Sequence, residues 1–314
     1  MIADISRLSL DYKLCEKTFR GSIYAVGVGL HSGAKTKISF HPAPVGTGIV
    51  FRRVDVTDKN NEIKASYENV VDTRLCTCYG NAEGVRVSTA EHVMAALYAY
   101  GVTNAYIDVQ GPEVPIMDGS AQDFAFLFDC VGLIEQNAPL KAVRIKKEVV
   151  FEDGKGAVVS LKPAEKGLTI DFDIEFAAGA IGHQSLVFDL TQKSFKKEIA
   201  YARTFAQLQE IEMLRSMGLC HGGSLENAIV VNGESIMNPE GLRHQTEFVR
   251  HKILDAIGDL GQAGLPIIGS FQGVRSGHFH TNALLRTLFA DSSAYEIIDL
   301  NETIEENESA IAVA

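Results

Sequence analysis

Residues 247–262 read EFVRHKILDAIGDLGQ, and residues 88–104 read STAEHVMAALYAYGVTN. In the first stretch Val249, Ile253, Ala256, Ile257 and Leu260 recur at helical spacing, while His251, Asp255 and Asp259 fall on a separate stripe. The pattern predicts a helix over 247–262 with one packed side and one side bearing an imidazole and carboxylates. The second stretch predicts a helix over 91–100, closed by Gly101 ahead of another strand. Each helix carries a histidine near its start and ends at glycine before a strand, so the two halves echo one another over a span too short to establish a duplication.

Working outward, strand-like stretches fall at 22–26, 36–40, 49–53 and 105–109 in the first half, and at 143–151, 156–161 and 168–176 in the second. A further helix is expected over 203–217. Each half is thus strands accompanied by helices, an α+β pattern. GPEVPIMDGSA, residues 111–121, reads as a turn leading into the apolar helix DFAFLFDCVGLI, and EQNAPLK, residues 135–141, reads as a linker. A chain of 314 residues suits two domains, here 1–138 with Glu91 and His92, and 139–314 with His251, Asp255 and His278.

Composition narrows the function classes. Hydrophobic residues make up 46% and charged residues 22%, an ordinary globular balance. The formal net charge of −11 disfavours a nucleic-acid partner, which requires a clustered basic face, so an anionic substrate must be met by a few local cations. No apolar run approaches a bilayer span, and MIADISRLSLDYKL lacks the apolar centre of a signal peptide, so a cytoplasmic location is expected. Five irregularly spaced cysteines fit reduced thiols, and the Cys76/Cys78 pair reads as buried strand residues in the absence of a second pair.

His251 and Asp255, at i and i+4, lie on one helix face within reach of one ion. On a solvated surface the same spacing makes only a hydrogen-bonded couple, and two ligands need a third to make a zinc site. Glu91 and His92 place a carboxylate and an imidazole at one helix end, although Ser88 and Glu91 also satisfy a capping box. His278 and His280 lie in the glycine-containing stretch IIGSFQGVRSGHFHTN, where either could be a mobile acid or base or neither has a role. Thr204 in ARTF has a hydroxyl suited to an oxyanion, a weak signal in so common a residue. GVGLHSG, residues 27–33, has the glycines of a phosphate loop without the strand–loop–helix context and reads as a strand or turn. No H-E-x-x-H occurs, which disfavours a zinc peptidase.

The motifs GVGLHSG, RLCTC, STAEHVMAAL, GPEVPIMDGSA, ARTF, GGSLENAIVV, EFVRHKILDAIGDL and VRSGH, in this order, resemble the UDP-3-O-acyl-N-acetylglucosamine deacetylase family, which carries out the committed step of lipid A synthesis. The resemblance runs over residues 21–288. It implies two similar α+β domains, each a mainly antiparallel sheet with helices, packed as a β-α-α-β sandwich with small inserts. It implies Zn2+ on His92, His251 and Asp255 and Glu91 as general base; a mixed His/His/Asp set also suits Fe2+, which could occupy the site in cells. His278 then resembles the general acid or cationic stabiliser, paired with Asp259, and Thr204 the group that contacts the reacting carbonyl, with Phe205 beside it. Lys252 and Arg275 resemble the cations that hold the UDP diphosphate and adjoining sugar, Arg275 standing where lysine is frequent. The implied partner is acylated UDP-N-acetylglucosamine, bound by a monomer. The family holds its acyl chain in a β-α-β insert, here near 206–231, where Leu208, Ile211 and Leu214 recur at helical spacing and Gly222 and Gly223 let backbone approach a lipid.

Overall fold

The computed structural model describes residues 14–301, so the expectation drawn from the N-terminal stretch lies outside the described part. The helices are α1 (Glu91–Tyr100), α2 (Gln122–Val131), α3 (Gln192–Ser194, running into a π turn over Phe195–Ile199), α4 (Leu208–Ser216), α5 (Glu247–Leu260) and α6 (His278–Ala290). In the first half, strands Ile23–Val28, Lys35–Pro42, Ala105–Gln110, Ile49–Arg53 and Glu62–Lys64 form a five-stranded sheet in that order. All its pairings are antiparallel except Ile49–Arg53 with Ala105–Gln110. The second half builds a seven-stranded sheet around Ile267–Val274, which runs parallel to Lys141–Ile145 and Leu168–Glu175 and antiparallel to Val158–Lys162.

The two halves meet through α1 and α5. Nearly every residue of α1 is buried, and in α5 only Lys252 is not, as befits helices covered on all sides. One apolar core runs from Phe40, Phe51 and Ile107 of the first sheet, through Val93 and Leu97 of α1 and Ile253 and Ile257 of α5, to Ile170 and Phe271 of the second. This is the β-α-α-β layering. The helices come together tightly at Gly258, where a Cβ would collide with the Glu91 carbonyl oxygen. That contact sets the start of α1 directly over the His/Asp stripe of α5.

Helix 91–100 forms with the expected bounds, and 247–262 forms as α5 with a closing 3-10 turn at Gly261–Ala263. Three expectations change. Residues 135–141 are no linker, because Leu133–Pro139 is a strand paired antiparallel with Cys15–Phe19. Its polar sequence lacks alternation, and tertiary partners supply its order: Gln136 donates to the Ala43 carbonyl and accepts from Asn104. The strand expected over 143–151 divides into Lys141–Ile145 and Val149–Glu152, which pair with different neighbours. Residues 203–207 are not helical, since Phe205–Gln207 pairs parallel with Ile229–Asn232 and α4 begins only at Leu208.

Candidate functional site

Local sequence fixes Glu91 and His92 in an unexpected way. Helix α1 begins at Glu91 with Ala90 as its cap residue and no side-chain cap bond. The capping box is therefore not adopted, because Glu91 is the first helical residue rather than the third. Ser88 instead donates its hydroxyl to Cys78 Sγ at 3.3 Å, and the Glu91 carboxylate accepts the Thr77 backbone N–H at 2.9 Å. Thr89, in the left-handed region at φ 56°, turns the chain between them and donates its hydroxyl to Glu113.

His92, His251 and Asp255 converge, all three buried. Each offers a ligand atom within 4.8 Å of the others, and among the described residues they are the one such group of three. Asp255 Oδ1 lies 3.3 Å from His251 Nε2 and 3.8 Å from His92 Nε2. The Nδ1–H of His251 donates to the Ala202 carbonyl at 3.0 Å, which fixes the tautomer and leaves the Nε2 lone pair facing the cluster. Burial, then the neighbouring His251, holds His92 down to about 3, and burial lowers His251 as well, so both imidazoles are neutral donors. Burial opposes the Asp255 anion, but the Lys252 ammonium and protonated His278 hold its carboxyl well below the usual range. Two neutral imidazoles and one carboxylate are a donor set suited to a divalent transition-metal ion.

Around this centre lies a cavity of about 600 Å³ that also reaches Glu91, Thr204, Phe205, Lys252 and His278. Burial pushes the Glu91 carboxyl up to about 7, against the opposing pull of His278. His278 Nδ1 donates to Asp259 Oδ2 at 2.7 Å; burial disfavours its cation, yet Asp259 outweighs that and raises it to about 9. His278 is not on a mobile loop, since it opens α6. His280, one residue beyond Phe279 in the same turn, accepts the Gly277 N–H and faces Asp153 at 3.4 Å.

The other candidates divide between this cavity and positions outside it. Lys252 Nζ donates to Asp255 Oδ2 at 2.8 Å and lines the cavity. Arg275 sits at φ 49° beyond the strand Ile267–Val274, its guanidinium on Glu175 and the Gly156 carbonyl, outside the cavity lining. A second cavity, about 490 Å³, joins the first at Leu30, Leu75, Thr204, Phe205 and Glu210. Leu208, Ile211 and Leu214 line it from α4, a helix with no buried residue, so the stripe faces open space and not the core. Gly223 lies along this cavity, whereas Gly222 packs on the turn at Gly29, donating its N–H to the Leu30 carbonyl at 3.0 Å. Cys76, Cys78, Cys130 and Cys220 are free thiols.

Sequence reasoning left two groups unassigned. Arg203, fully buried, pairs with the buried Glu247 at 2.9 Å and so ties ARTF to the first turn of α5. Thr77 contacts Glu91 and also donates its hydroxyl to Asp259 Oδ1 at 2.6 Å. The only sign of either was its place inside a quoted motif.

Known proteins resemble this chain over most of its length. Residues 16–290 match the family model for UDP-3-O-acyl N-acetylglycosamine deacetylase. A UDP-3-O-acyl-N-acetylglucosamine deacetylase of Acidithiobacillus ferrooxidans is 48% identical over 91% of this chain and 94% of its own length. The proteins of that name from Phenylobacterium zucineum (47%, covering 93% and 99%) and Thioalkalivibrio sulfidiphilus (48%, covering 94% and 95%) are similar to this chain to nearly the same degree. With the match spanning both sheets and both central helices, the chain belongs to the UDP-3-O-acyl N-acetylglycosamine deacetylase family.

Proposed function

We propose that the chain hydrolyses the N-acetyl group of UDP-3-O-acyl-N-acetylglucosamine, releasing acetate and the free amine, the committed step of lipid A biosynthesis. The observation that carries the reading is the buried trio His92, His251 and Asp255 beside Glu91 and the His278–Asp259 pair, inside a chain of this family. His92, His251 and Asp255 would hold the ion, which when bound polarises the amide carbonyl and makes water a better nucleophile at neutral pH. Zinc is the proposed ion, with iron(II) the alternative in cells. Glu91 takes the proton from the attacking water, and protonated His278 supplies one to the nitrogen as the C–N bond breaks. Thr204 faces the reacting carbonyl, Phe205 borders it, and Lys252 and Arg275 meet the phosphates, Arg275 after turning from Glu175.

The proposed boundary between the domains falls at 138–139, where Leu133–Pro139 ends before Lys141–Ile145 enters the second sheet. The proposal also places the protein in the cytoplasm as a monomer. Among the described residues no helix is long and apolar enough to cross a membrane.

Acetate release from the acylated UDP-sugar, followed against pH, tests the reading. Turnover requires Glu91 ionised and His278 protonated, so the rate rises as pH passes about 7 and falls as it passes about 9. In His278→Ala the alkaline fall disappears or shifts. An unchanged fall in that variant assigns the acid to another group such as His280.

The 490 Å³ apolar cavity is the proposed passage for the acyl chain. Each buried methylene contributes about 0.8 kcal/mol, so a long chain supplies much of the substrate affinity. A Cβ at Gly223 meets nothing closer than 3.5 Å, which allows a larger side chain to be placed there. Gly223→Phe is expected to raise KM steeply for the acylated substrate and little for one lacking the chain; equal losses on both place the passage elsewhere.

A further inference from the structure

Thr77 lies in the RLCTC motif and is 1% exposed, one residue before the strand Cys78–Gly80. Its backbone is bound to the start of α1 in both directions: its N–H donates to Glu91 Oε2 at 2.9 Å and its carbonyl accepts the Ala90 N–H at 3.2 Å. Its side chain reaches across to α5. There the hydroxyl donates to Asp259 Oδ1 at 2.6 Å, and Gln262 Nε2 donates to the same oxygen at 3.1 Å. Gln262 is held in turn by Asn282 of α6 at 2.9 Å. With two donors on Oδ1, the carboxylate is fixed about its terminal torsion and presents Oδ2 to His278 at 2.7 Å.

We propose that Thr77 is a positioning residue for the deacetylation, its backbone orienting Glu91 from one half and its hydroxyl aiming Asp259, and through it His278, from the other. The inference rests on the roles proposed above for Glu91, Asp259 and His278. Its physical basis is that a carboxylate buried among few donors keeps one orientation only while each oxygen is occupied. A buried neutral hydroxyl does this without adding a charge that would compete for His278. His278 faces Asp259, Asp255, His251 and Lys252 from α5 and Glu91 and His92 from α1, so a small rotation of Asp259 exposes its imidazole to a different balance of charges.

Thr77→Val keeps the shape and both backbone contacts and removes only the hydroxyl, whereas Thr77→Ser keeps the hydroxyl. In metal-loaded protein, Thr77→Val is expected to lower kcat by about ten- to a hundredfold, the worth of one hydrogen bond to a charged group, with KM and metal content little changed. The alkaline limb of the pH profile moves to lower pH, because a loosened Asp259 no longer outweighs burial at His278. The ¹⁵N imidazole titration of His278 moves with it, and Thr77→Ser restores both. If the valine variant does not fold, Thr77→Ala against Thr77→Ser gives the same comparison. A wild-type alkaline limb and His278 titration in the hydroxyl-less variant overturn the inference, as does a serine variant as impaired as the valine one. Should Glu91→Ala and His278→Ala both retain turnover, the reading of the site itself fails; should they lose it while Thr77→Val does not, only the role of Thr77 falls.

Discussion

Replacing Glu91 with alanine is expected to lower kcat by about 10²–10⁴-fold while leaving bound metal at the level of the unaltered protein. Glu91 is buried, and burial pushes its carboxyl up to about 7, which makes it a stronger proton acceptor than an ordinary glutamate. It is not one of the three groups that converge within 4.8 Å, so the donor set survives its removal. Its carboxylate accepts one backbone N–H from Thr77, and alanine forgoes that bond without unseating α1, which Gly258 and the apolar core continue to hold. Metal analysis together with acetate release checks the expectation. A variant that lost its metal would make Glu91 a ligand, and one that kept its turnover would remove it from the reaction.

His251→Ala is expected to give the opposite division, with metal lost first and activity lost in consequence. Of three donors two would remain, and the fall in affinity should exceed the roughly 10–100-fold that follows removal of a mere supporting partner. The substitution also leaves the Ala202 carbonyl without the Nδ1–H it accepts. Excess metal should therefore rescue part of the activity of His251→Ala and none of that of Glu91→Ala. Equal metal content in His251→Ala and the unaltered protein would contradict the ligand assignment.

Much of this site was legible because its residues share a helix. His251, Asp255 and Asp259 stand at successive turns of α5, and a 3.6-residue period exposes that arrangement in any sequence. His92 was different. It reaches the same centre from α1, by a contact that depends on Gly258, and no spacing along the chain encodes that approach; the family resemblance supplied it. The same holds for Thr77 and Asp259, which meet only because the two halves fold against each other. Among the elements, α1 and α5 were plain from periodicity. The strand Leu133–Pro139 was hidden, because its polar residues are ordered by partners far away in sequence. The end of the helix expected over 203–217 was nearly right and its start was not, since Phe205–Gln207 takes the parallel pairing offered by Ile229–Asn232.

In the proposed reaction a metal ion held by His92, His251 and Asp255 is required for deacetylation. The requirement is tested on protein freed of metal by chelation and titrated with Zn²⁺, with bound metal and acetate release from UDP-3-O-acyl-N-acetylglucosamine measured together. Acetate release should be absent at the start, rise in proportion to bound metal and level off at about one ion per chain, as expected for a single three-ligand catalytic site. Full acetate release from demonstrably metal-free protein, or metal that binds without restoring it, would contradict the claim.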